Sequence, residues 1–372
     1  MISKRKINIK IITSLLKGIW KYNFLRHFLA LTPTELQINI TYKCNSRCEM
    51  CNIWQKKLNN ELTYNQWEKI MKDPIFVGIE RLIIAGGEPT IAPDFDNLIK
   101  LFINTMPRLN KVNFLTNGLV KEKTVAMVKT LLTASKKRDI EISVSVSLDG
   151  VGKTHESMRQ IPNAFAKTAQ TIEALRKLTK QHYNLWLGVS CVVCHKNLFQ
   201  VGKLKEWCHK KEIPFNMQLV GFHESYVNNL DKQKELDFLA NDKSYLLKLI
   251  KRQKLTHQKS WTDVMAYYWH DMFSMYWKNT TRSSPCPFLI DAFCLDSLGD
   301  VYYCLSERKI GNCLNGNTVS KLYYDAENLS FRQQLAKNSC LKCNSGCLVC
   351  SAIRKDFKKY LWFLIREKIL KI

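Results

Sequence analysis

The chain has 372 residues, which is enough for one large α/β domain or for a catalytic domain with a smaller appendage. It carries 57 Lys and Arg against 32 Asp and Glu, and the net charge of +25 favours an anionic partner such as a membrane surface, nucleic acid, or an acidic or phosphorylated substrate. Its 14 cysteines are gathered in short clusters that suit metal binding better than a secreted disulfide framework, so a cytoplasmic location is expected.

The N-terminal segment, residues 1–34, is basic and amphipathic. Residues 4–26 contain seven Lys or Arg and no acid, and Lys10, Lys17 and Lys21 interrupt the apolar core that a signal peptide needs. Residues 354–372 repeat the basic amphipathic pattern. Both ends are able to lie at the inner face of a membrane, or to dock on the protein with a solvated charged face. No window approaches the roughly 20 apolar residues of a spanning helix, so no transmembrane segment is expected.

Between residues 35 and 221, short β-rich runs alternate with longer helical runs. The predicted strands are residues 35–41, 79–85, 111–116, 141–148, 185–193 and 214–220. Repeated βα units predict a parallel sheet or barrel. In the fourth strand, Ser143, Ser145 and Ser147 alternate with apolar residues. Such a polar face suits a wide or incomplete barrel whose inner side meets a polar ligand.

The character of the chain changes after residue 221. Residues 222–285 predict a helical, aromatic connector, and residues 286–353 hold eight cysteines among segments that look like turns. The predicted domains are therefore a barrel at 35–221, a connector at 222–285 and a cysteine-rich domain at 286–353, between the two basic ends.

Three cysteines follow the first predicted strand. Cys44, Cys48 and Cys51 have the spacing C-x3-C-x2-C. A structural zinc site normally uses four protein ligands. Three thiolates can instead hold three irons of a [4Fe-4S] cube and leave the fourth iron open to another ligand.

The segment CNSRCEMC resembles the signature of the radical S-adenosylmethionine (SAM) superfamily. Three further segments stand in the order of that family, namely GGEP at 86–89, TNG at 116–118 and SLDG at 147–150. GGEP follows the second predicted strand, and TNG and SLDG end the third and fourth, so all three lie at the carboxyl ends of strands, where barrel active sites are built. The resemblance implies a partial (β/α)6 TIM-type barrel. It also implies a [4Fe-4S] cluster at which SAM is cleaved to a 5′-deoxyadenosyl radical that abstracts hydrogen from a substrate C–H bond.

The resemblance also implies which residues contact SAM. In the family the GGEP segment binds the SAM amino group, Thr116 and Ser147 would contact its ribose or methionyl end, and Arg159 would pair with its carboxylate. Met50 stands where the family often has an aromatic residue near the adenine, and a thioether can still pack on a ring. The implied cofactor contacts are Met50, Gly86, Gly87, Glu88, Thr116, Asn117, Ser147 and Arg159. The resemblance implies no residue as a general base, because the reactive chemistry comes from the cofactor.

A second cysteine cluster lies near the C-terminus. The pattern Cys286-x12-Gly299-x4-Cys304 resembles the opening of SPASM or Twitch domains, which carry auxiliary [4Fe-4S] clusters. The remaining ligands would come from Cys340, Cys343, Cys347 and Cys350, with Cys294 and Cys313 as further candidates. The inner spacings are shorter than usual and no cysteine follows position 350, so either one or two auxiliary clusters is compatible with the sequence. A zinc ribbon is the alternative, because zinc sites also use paired C-x2-C knuckles.

The function expected from the resemblance is a radical SAM enzyme that modifies a peptide or protein, or that oxidises or rearranges a sugar or lipid-linked substrate. A flavodoxin-like or ferredoxin-like electron donor is implied. The alternative is a basic zinc-binding or iron–sulfur protein that docks nucleic acid or a partner without catalysis. Nucleic acid is not expected as a partner, because a non-catalytic protein that docks nucleic acid would have no use for GGEP, TNG and SLDG at successive strand ends.

Overall fold

The computed structural model describes residues 20–25, 29–56, 60–258, 263–346, 348–356 and 358–369. The chain divides into two compact units. The larger unit is Pro33–Leu246 with Ala292–Arg332, and the smaller unit is Met1–Thr32, Leu247–Asp291 and Gln333–Ile372. The sequence-based division into five segments stays a prediction.

The larger unit is built on a sheet that has nine strands in the described part of the chain, in the order β6-β5-β4-β3-β2-β1-β7-β8-β9. Neighbouring strands from β1 to β6 are parallel, β7 is parallel to β1, and β8 and β9 are antiparallel additions. The strands are β1 Glu35–Thr41, β2 Arg81–Gly86, β3 Lys111–Thr116, β4 Glu141–Ser147, β5 Leu185–Val193, β6 Phe215–Leu219, β7 Ala292–Asp296, β8 Asp300–Tyr302 and β9 Gly311–Asn312. This parallel order is the one that repeated βα units predict.

Helices lie between the parallel strands along the chain, and further helices follow β6 and β9. They are α1 Tyr64–Ile70, α2 Phe95–Thr105, α3 Lys121–Ser135, α4 Lys153–Arg159, α5 Ala164–Thr179, α6 Val201–Lys210, α7 Gln233–Leu236, α8 Lys243–Gln258, α9 Met265–Lys278, α10 Val319–Tyr324, α11 Ala326–Lys337, α12 Val349–Lys355 and α13 Lys358–Leu364. A π-helical turn, Ile365–Ile369, follows α13. Helix α1 begins with a capping box, in which Thr63 Oγ1 accepts from Gln66 N and Gln66 Oε1 accepts from Thr63 N at 2.9 Å.

The parallel register separates an apolar face of the sheet from a polar one. Ile38, Ile84, Phe114 and Val144 lie side by side on four adjacent strands, and each is at most 1% exposed. Burying a side chain of this size stabilises the fold by about 1.5–3 kcal/mol. Strand β4 alternates between buried apolar residues and half-buried serines. The polar face therefore remains partly accessible along β4.

The cysteine-rich region also contributes to the sheet. The sequence predicts turn-like segments after residue 285, but β7 is a fully buried strand that pairs with β1. Strands β7 and β8 are joined by a tight turn at Gly299, whose φ of +80° favours glycine. This glycine is the one in the C-x12-G-x4-C pattern.

The described part of the C-terminal segment packs within the smaller unit. Tyr360 and Phe363 of α13 are buried, and their rings lie 6.2 Å and 5.4 Å from the ring of Tyr267 in α9. Leu361 and Trp362 on the same helix remain exposed. None of the helices in the described ranges has the length and apolar character needed to cross a bilayer. Residues 1–19 lie outside the described residues, and membrane contact by the two basic ends stays a prediction.

Candidate active site

The loop that carries the three cysteines begins directly after β1. Cys48 is buried, whereas Cys44 and Cys51 are half-buried. The end of α4 holds the middle of the loop, because Glu49 N donates to Met158 O at 2.9 Å and Arg47 N donates to Arg159 O at 3.3 Å. The position of Cys48 is therefore set by the segment that follows SLDG in the sequence.

Residues after β6 hold the other end of the cysteine loop. Asn52 N donates to Val227 O at 2.8 Å, and the Asn52 side chain donates to Asp231 Oδ1 at 2.9 Å. The side chain of Asn229 donates to Met50 O at 2.9 Å. Sequence reasoning did not identify these supporting residues, because they are 175 or more positions from the loop and form no local motif.

Apolar packing also fixes the position of the cysteine loop. Cys48 and Met50 belong to one buried cluster with Met158, Cys194, Val220 and Leu236, and Cys51 packs against this cluster. Met50 is only 8% exposed. Its predicted contact with the adenine of SAM is not tested by this packing and stays a prediction.

The two glycines of GGEP allow β2 to pass very close to the start of the cysteine loop. Gly87 N donates to Thr41 O at 2.7 Å, and Glu88 N donates to Lys43 O at 2.8 Å. A Cβ atom would lie 2.2 Å from Thr41 O at Gly86, and 2.2 Å from Lys43 O at Gly87. Gly86 also has a φ of +131°. Both positions therefore require glycine for a backbone reason.

Glu88 joins the GGEP segment to the TNG segment. Its buried carboxylate accepts hydrogen bonds from Thr116 Oγ1 at 2.8 Å, Asn117 N at 2.7 Å and Thr90 N at 3.1 Å. Burial raises the pKa of this carboxyl, although the hydrogen bonds oppose the rise. Asn117 then reaches the cysteine loop, since its Nδ2 donates to Asn45 Oδ1 at 2.7 Å. Glu88 thus supports the site by tying two strand ends together.

A buried ionic chain connects SLDG to the cysteine loop. Arg159 Nη2 lies 2.6 Å from Asp149 Oδ2, and Arg159 Nη1 lies 3.4 Å from Cys48 Sγ. Burial disfavours the charged guanidinium, but the nearby Asp149 carboxylate and Cys48 sulfur raise its pKa and keep it protonated. Asp149 is itself held by Val192 N, which donates to Asp149 Oδ1 at 3.0 Å.

Some of the residues that are predicted to contact SAM lie beside the cysteine loop. Residues of GGEP and TNG and Arg159 are linked to the loop by hydrogen bonds. Ser147 is half-buried at the end of β4. Direct contacts of all these residues with SAM stay predictions.

The donor set at this loop fits an iron–sulfur cluster. Among the described residues, no group of three or more His, Cys, Asp or Glu side chains could hold a single metal ion. A [4Fe-4S] cube instead takes each thiolate on a separate iron. Burial raises the pKa of both Cys44 and Cys51 to about 12, so these thiols are protonated in the metal-free protein. Metal binding therefore releases protons.

Buried His155 provides a test of the electrostatics behind the loop. Its Nδ1 accepts from Asp149 N at 3.0 Å, and burial and then the Arg159 charge lower its pKa from 6.5 to about 2. Because the folded protein resists protonation here, unfolded chains bind more protons below pH 6.5, and stability falls as the pH is lowered.

We expect the free energy of unfolding of the wild type to fall by about 1.4 kcal/mol more than that of His155→Gln between pH 7.5 and pH 5.5, through this group. Urea denaturation of the metal-free proteins at the two pH values measures the difference. An equal fall in both proteins would show that His155 is not held neutral.

The candidate auxiliary ligands fall in both units. Cys294, Cys304 and Cys313 belong to the larger unit, and Cys294 is fully buried in β7. Cys286, Cys340, Cys343 and Cys350 belong to the smaller unit, whereas Cys347 lies outside the described residues. The auxiliary ligand set stays a prediction.

Within the smaller unit, Arg282 organises the segment around Cys343. Arg282 Nη1 donates to Ser345 O at 2.8 Å and to Cys343 O at 3.3 Å, and Ser345 N donates to Cys343 Sγ at 3.4 Å. The pKa of Cys286 is raised by burial, with Arg282 opposing and Cys343 adding to the rise. Arg282 thus lies close to the segments that carry Cys286 and Cys343.

Three other cysteines belong to the core. Cys191, Cys194 and Cys208 are fully buried, as is common for free cysteines that pack in a core, and the C-x2-C spacing of the first two does not bring them to the surface.

Comparison with protein families finds a match in the segment that holds the four motifs. Residues 38–190 match the model of the Radical SAM superfamily, the family that the motifs of this segment resemble. Similar curated proteins include GTP 3′,8-cyclase of Aliarcobacter butzleri, 28% identical over 51% of this chain and 56% of that protein. The sporulation killing factor maturation protein SkfB of Bacillus subtilis is 25% identical over 47% of this chain and 40% of that protein. The chain thus spans about half the length of these relatives.

Solved structures confirm the fold class over most of the chain. Streptococcus suis SuiB bound to S-adenosylmethionine matches with a TM-score of 0.57 and 17% identity over 91% of this chain and 77% of that chain. The structure of anSMEcpe with bound AdoMet matches with a TM-score of 0.56 and 18% identity over 90% of this chain and 98% of that chain. The α/β fold with a parallel sheet is therefore that of these proteins.

Proposed function

We propose that this chain is a radical SAM enzyme that holds a [4Fe-4S] cluster through Cys44, Cys48 and Cys51. The arrangement that carries the proposal is the three-cysteine loop, which meets three motifs at the carboxyl ends of β2, β3 and β4. GGEP bonds to Lys43 at the start of the loop, and TNG bonds to Asn45. SLDG is connected through Arg159, which contacts both Asp149 and Cys48. Three cysteines leave one iron without a protein thiolate, and SAM is the ligand proposed for that iron. A metal-binding protein without catalysis would gain nothing from this convergence.

When bound, the cluster and SAM would supply the radical chemistry that removes hydrogen from a substrate C–H bond. The chain's own residues orient the reactants and exclude water. Gly86 and Gly87 bring the β2 end against the loop, and buried Glu88 fixes the TNG turn beside it. Thr116 and Asn117 at the end of β3, Ser147 at the end of β4, and Met50 in the loop itself are further proposed SAM contacts.

The substrate class that we propose is a peptide or protein. SuiB bound to its precursor peptide SuiA matches this chain over 94% of its length, and anSMEcpe with AdoMet and the Kp18Cys peptide matches over 90%, with TM-scores of 0.57. In this chain the polar face of the sheet offers room, because Ser143 and Ser145 are half-buried and Leu115 and Trp186 are at least 40% exposed. A sugar or a lipid-linked substrate remains the second class to assay.

The proposed electron donor is an acidic flavodoxin-like or ferredoxin-like protein, because the net charge of +25 attracts an anionic partner. Added salt should slow cluster reduction by such a donor more steeply than reduction by dithionite, a small anion with only two negative charges. Equal salt dependence of the two reactions would exclude charge steering. At least one auxiliary [4Fe-4S] cluster is also proposed, with ligands among the cysteines from 286 to 350.

The test is anaerobic reconstitution with iron and sulfide, followed by reduction with SAM and measurement of 5′-deoxyadenosine. Cys44→Ala, Cys48→Ala and Cys51→Ala should each abolish its release, because each removes a ligand of the SAM-binding cluster. The matched control is Cys208→Ala, which removes a fully buried cysteine from α6 instead. Release of 5′-deoxyadenosine by the three loop variants at the rate of the control would refute the proposal. The iron content of the three loop variants after reconstitution measures how much auxiliary cluster the protein holds.

A further inference from the structure

Arg159 is engaged with a cluster cysteine as well as with a carboxylate. Its Nη1 is 3.4 Å from Cys48 Sγ, and its Nη2 is 2.6 Å from Asp149 Oδ2. Cys48 and Arg159 are each 8% exposed and Asp149 is 0% exposed. The carboxylate, the guanidinium and the sulfur thus form a chain that is largely shielded from water.

We propose that Arg159 sets the reduction potential of the cluster through its hydrogen bond to the Cys48 sulfur, with Asp149 as the residue that positions the guanidinium. This inference rests on the proposed function, because it concerns the cluster that the three cysteines would hold. Reduction adds one electron from an external reductant, and the cluster becomes more negative by one charge. A buried cation that donates to a ligand sulfur stabilises the reduced form more than the oxidised form.

This role differs from the one that the family resemblance implies, in which Arg159 pairs with the SAM carboxylate. Two of the three guanidinium nitrogens already have partners in the protein. Within the described residues, Nε of Arg159 is buried without a hydrogen-bond partner. The two roles make different predictions for the protein without SAM, since carboxylate binding alone leaves the SAM-free potential unchanged.

The experiment is a redox titration of the reconstituted protein without SAM, followed by electron paramagnetic resonance of the reduced cluster. At a fixed applied potential, Arg159→Gln should lower the ratio of reduced to oxidised cluster about tenfold, a shift of about 59 mV toward more negative potential. The matched control is Arg47→Gln. Arg47 is exposed and adjoins Cys48 in sequence, and its guanidinium carbon lies 5.5 Å from the centre of the Trp54 ring. Its replacement should leave the ratio of reduced to oxidised cluster unchanged.

Arg159→Lys covers the case in which the glutamine variant does not load its cluster. A single ammonium cannot contact both Asp149 and Cys48 as the guanidinium does, so the ratio should fall about threefold. An unchanged ratio in a cluster-loaded Arg159→Gln or Arg159→Lys protein would overturn the inference, and weaker SAM binding in the same protein would assign Arg159 to the carboxylate. Failure of the proposed function can be distinguished from failure of this inference. If the proposed function were wrong, the wild type itself would show no cluster that depends on Cys44, Cys48 and Cys51.

Discussion

Gly87→Ala is expected to lower the rate of SAM cleavage about 100-fold without unfolding the protein. The new Cβ would lie 2.2 Å from Lys43 O, which is a backbone atom, so the chain on one side must move. The segment that moves leads directly into Cys44, and a displacement of about 1 Å at reacting groups can cost about 100-fold in rate. The 5′-deoxyadenosine assay measures the rate, and circular dichroism checks that the fold is retained.

Gly202→Ala is the matched control for this substitution. Gly202 lies in helix α6, and the nearest atom to its Cβ would be Tyr245 Oη at 3.8 Å, an ordinary contact distance. Alanine in a helix is favoured over glycine by roughly 0.5–1 kcal/mol, so this variant should be as active as the wild type and slightly more stable. Full activity of Gly87→Ala would contradict the close approach of β2 to the cysteine loop.

Glu88→Ala is expected to lower the free energy of unfolding by about 3 kcal/mol or more. The carboxylate accepts from Thr90 N, Thr116 Oγ1 and Asn117 N, and its removal leaves three donors without their acceptor in the interior. Each buried donor that loses its partner costs roughly 1–3 kcal/mol. Part of this total is offset, because the variant no longer has to bury a carboxylate. Chemical denaturation of the metal-free protein measures the change.

The control for Glu88→Ala is Glu68→Ala. Glu68 is an exposed residue of α1, and its loss should change the free energy of unfolding by no more than about 0.5 kcal/mol. If Glu88→Ala were as stable as Glu68→Ala, the carboxylate would not join the GGEP and TNG segments. SAM cleavage by Glu88→Ala should also fall, because Asn117 and its contact with Asn45 lose their support.

Much of the barrel could be predicted from local pattern. The bounds of β1, β3 and β5 agree with the predicted strands, because each run of β-forming residues is flanked by clear turn or helix signals. Strand β2 begins at Arg81, two residues later than predicted, since buried Ile79 follows the 3-10 turn Pro74–Gly78 and belongs to the core without being in the strand. Asn163 precedes α5, but its side chain makes no capping hydrogen bond and its φ is +58°.

The features that were missed depend on distant contacts. Strand β7 is buried at all five positions, so its sequence lacks the alternation that identifies a half-buried strand. The engagement of Arg159 with Asp149 and Cys48 could not be read from SLDG, which by itself is typical of a turn. The support of the cysteine loop by residues 227–231 follows from chain packing and has no local motif.

The central claim is that the three-cysteine loop holds a cluster with one iron open to SAM. Electron paramagnetic resonance of the reduced wild type with and without SAM tests it most directly, with the variant that lacks Cys44, Cys48 and Cys51 as the reference for any auxiliary cluster. We predict that SAM changes the spectrum of the cluster that the variant lacks. Identical spectra with and without SAM, in protein whose three-cysteine cluster is fully loaded, would contradict the account.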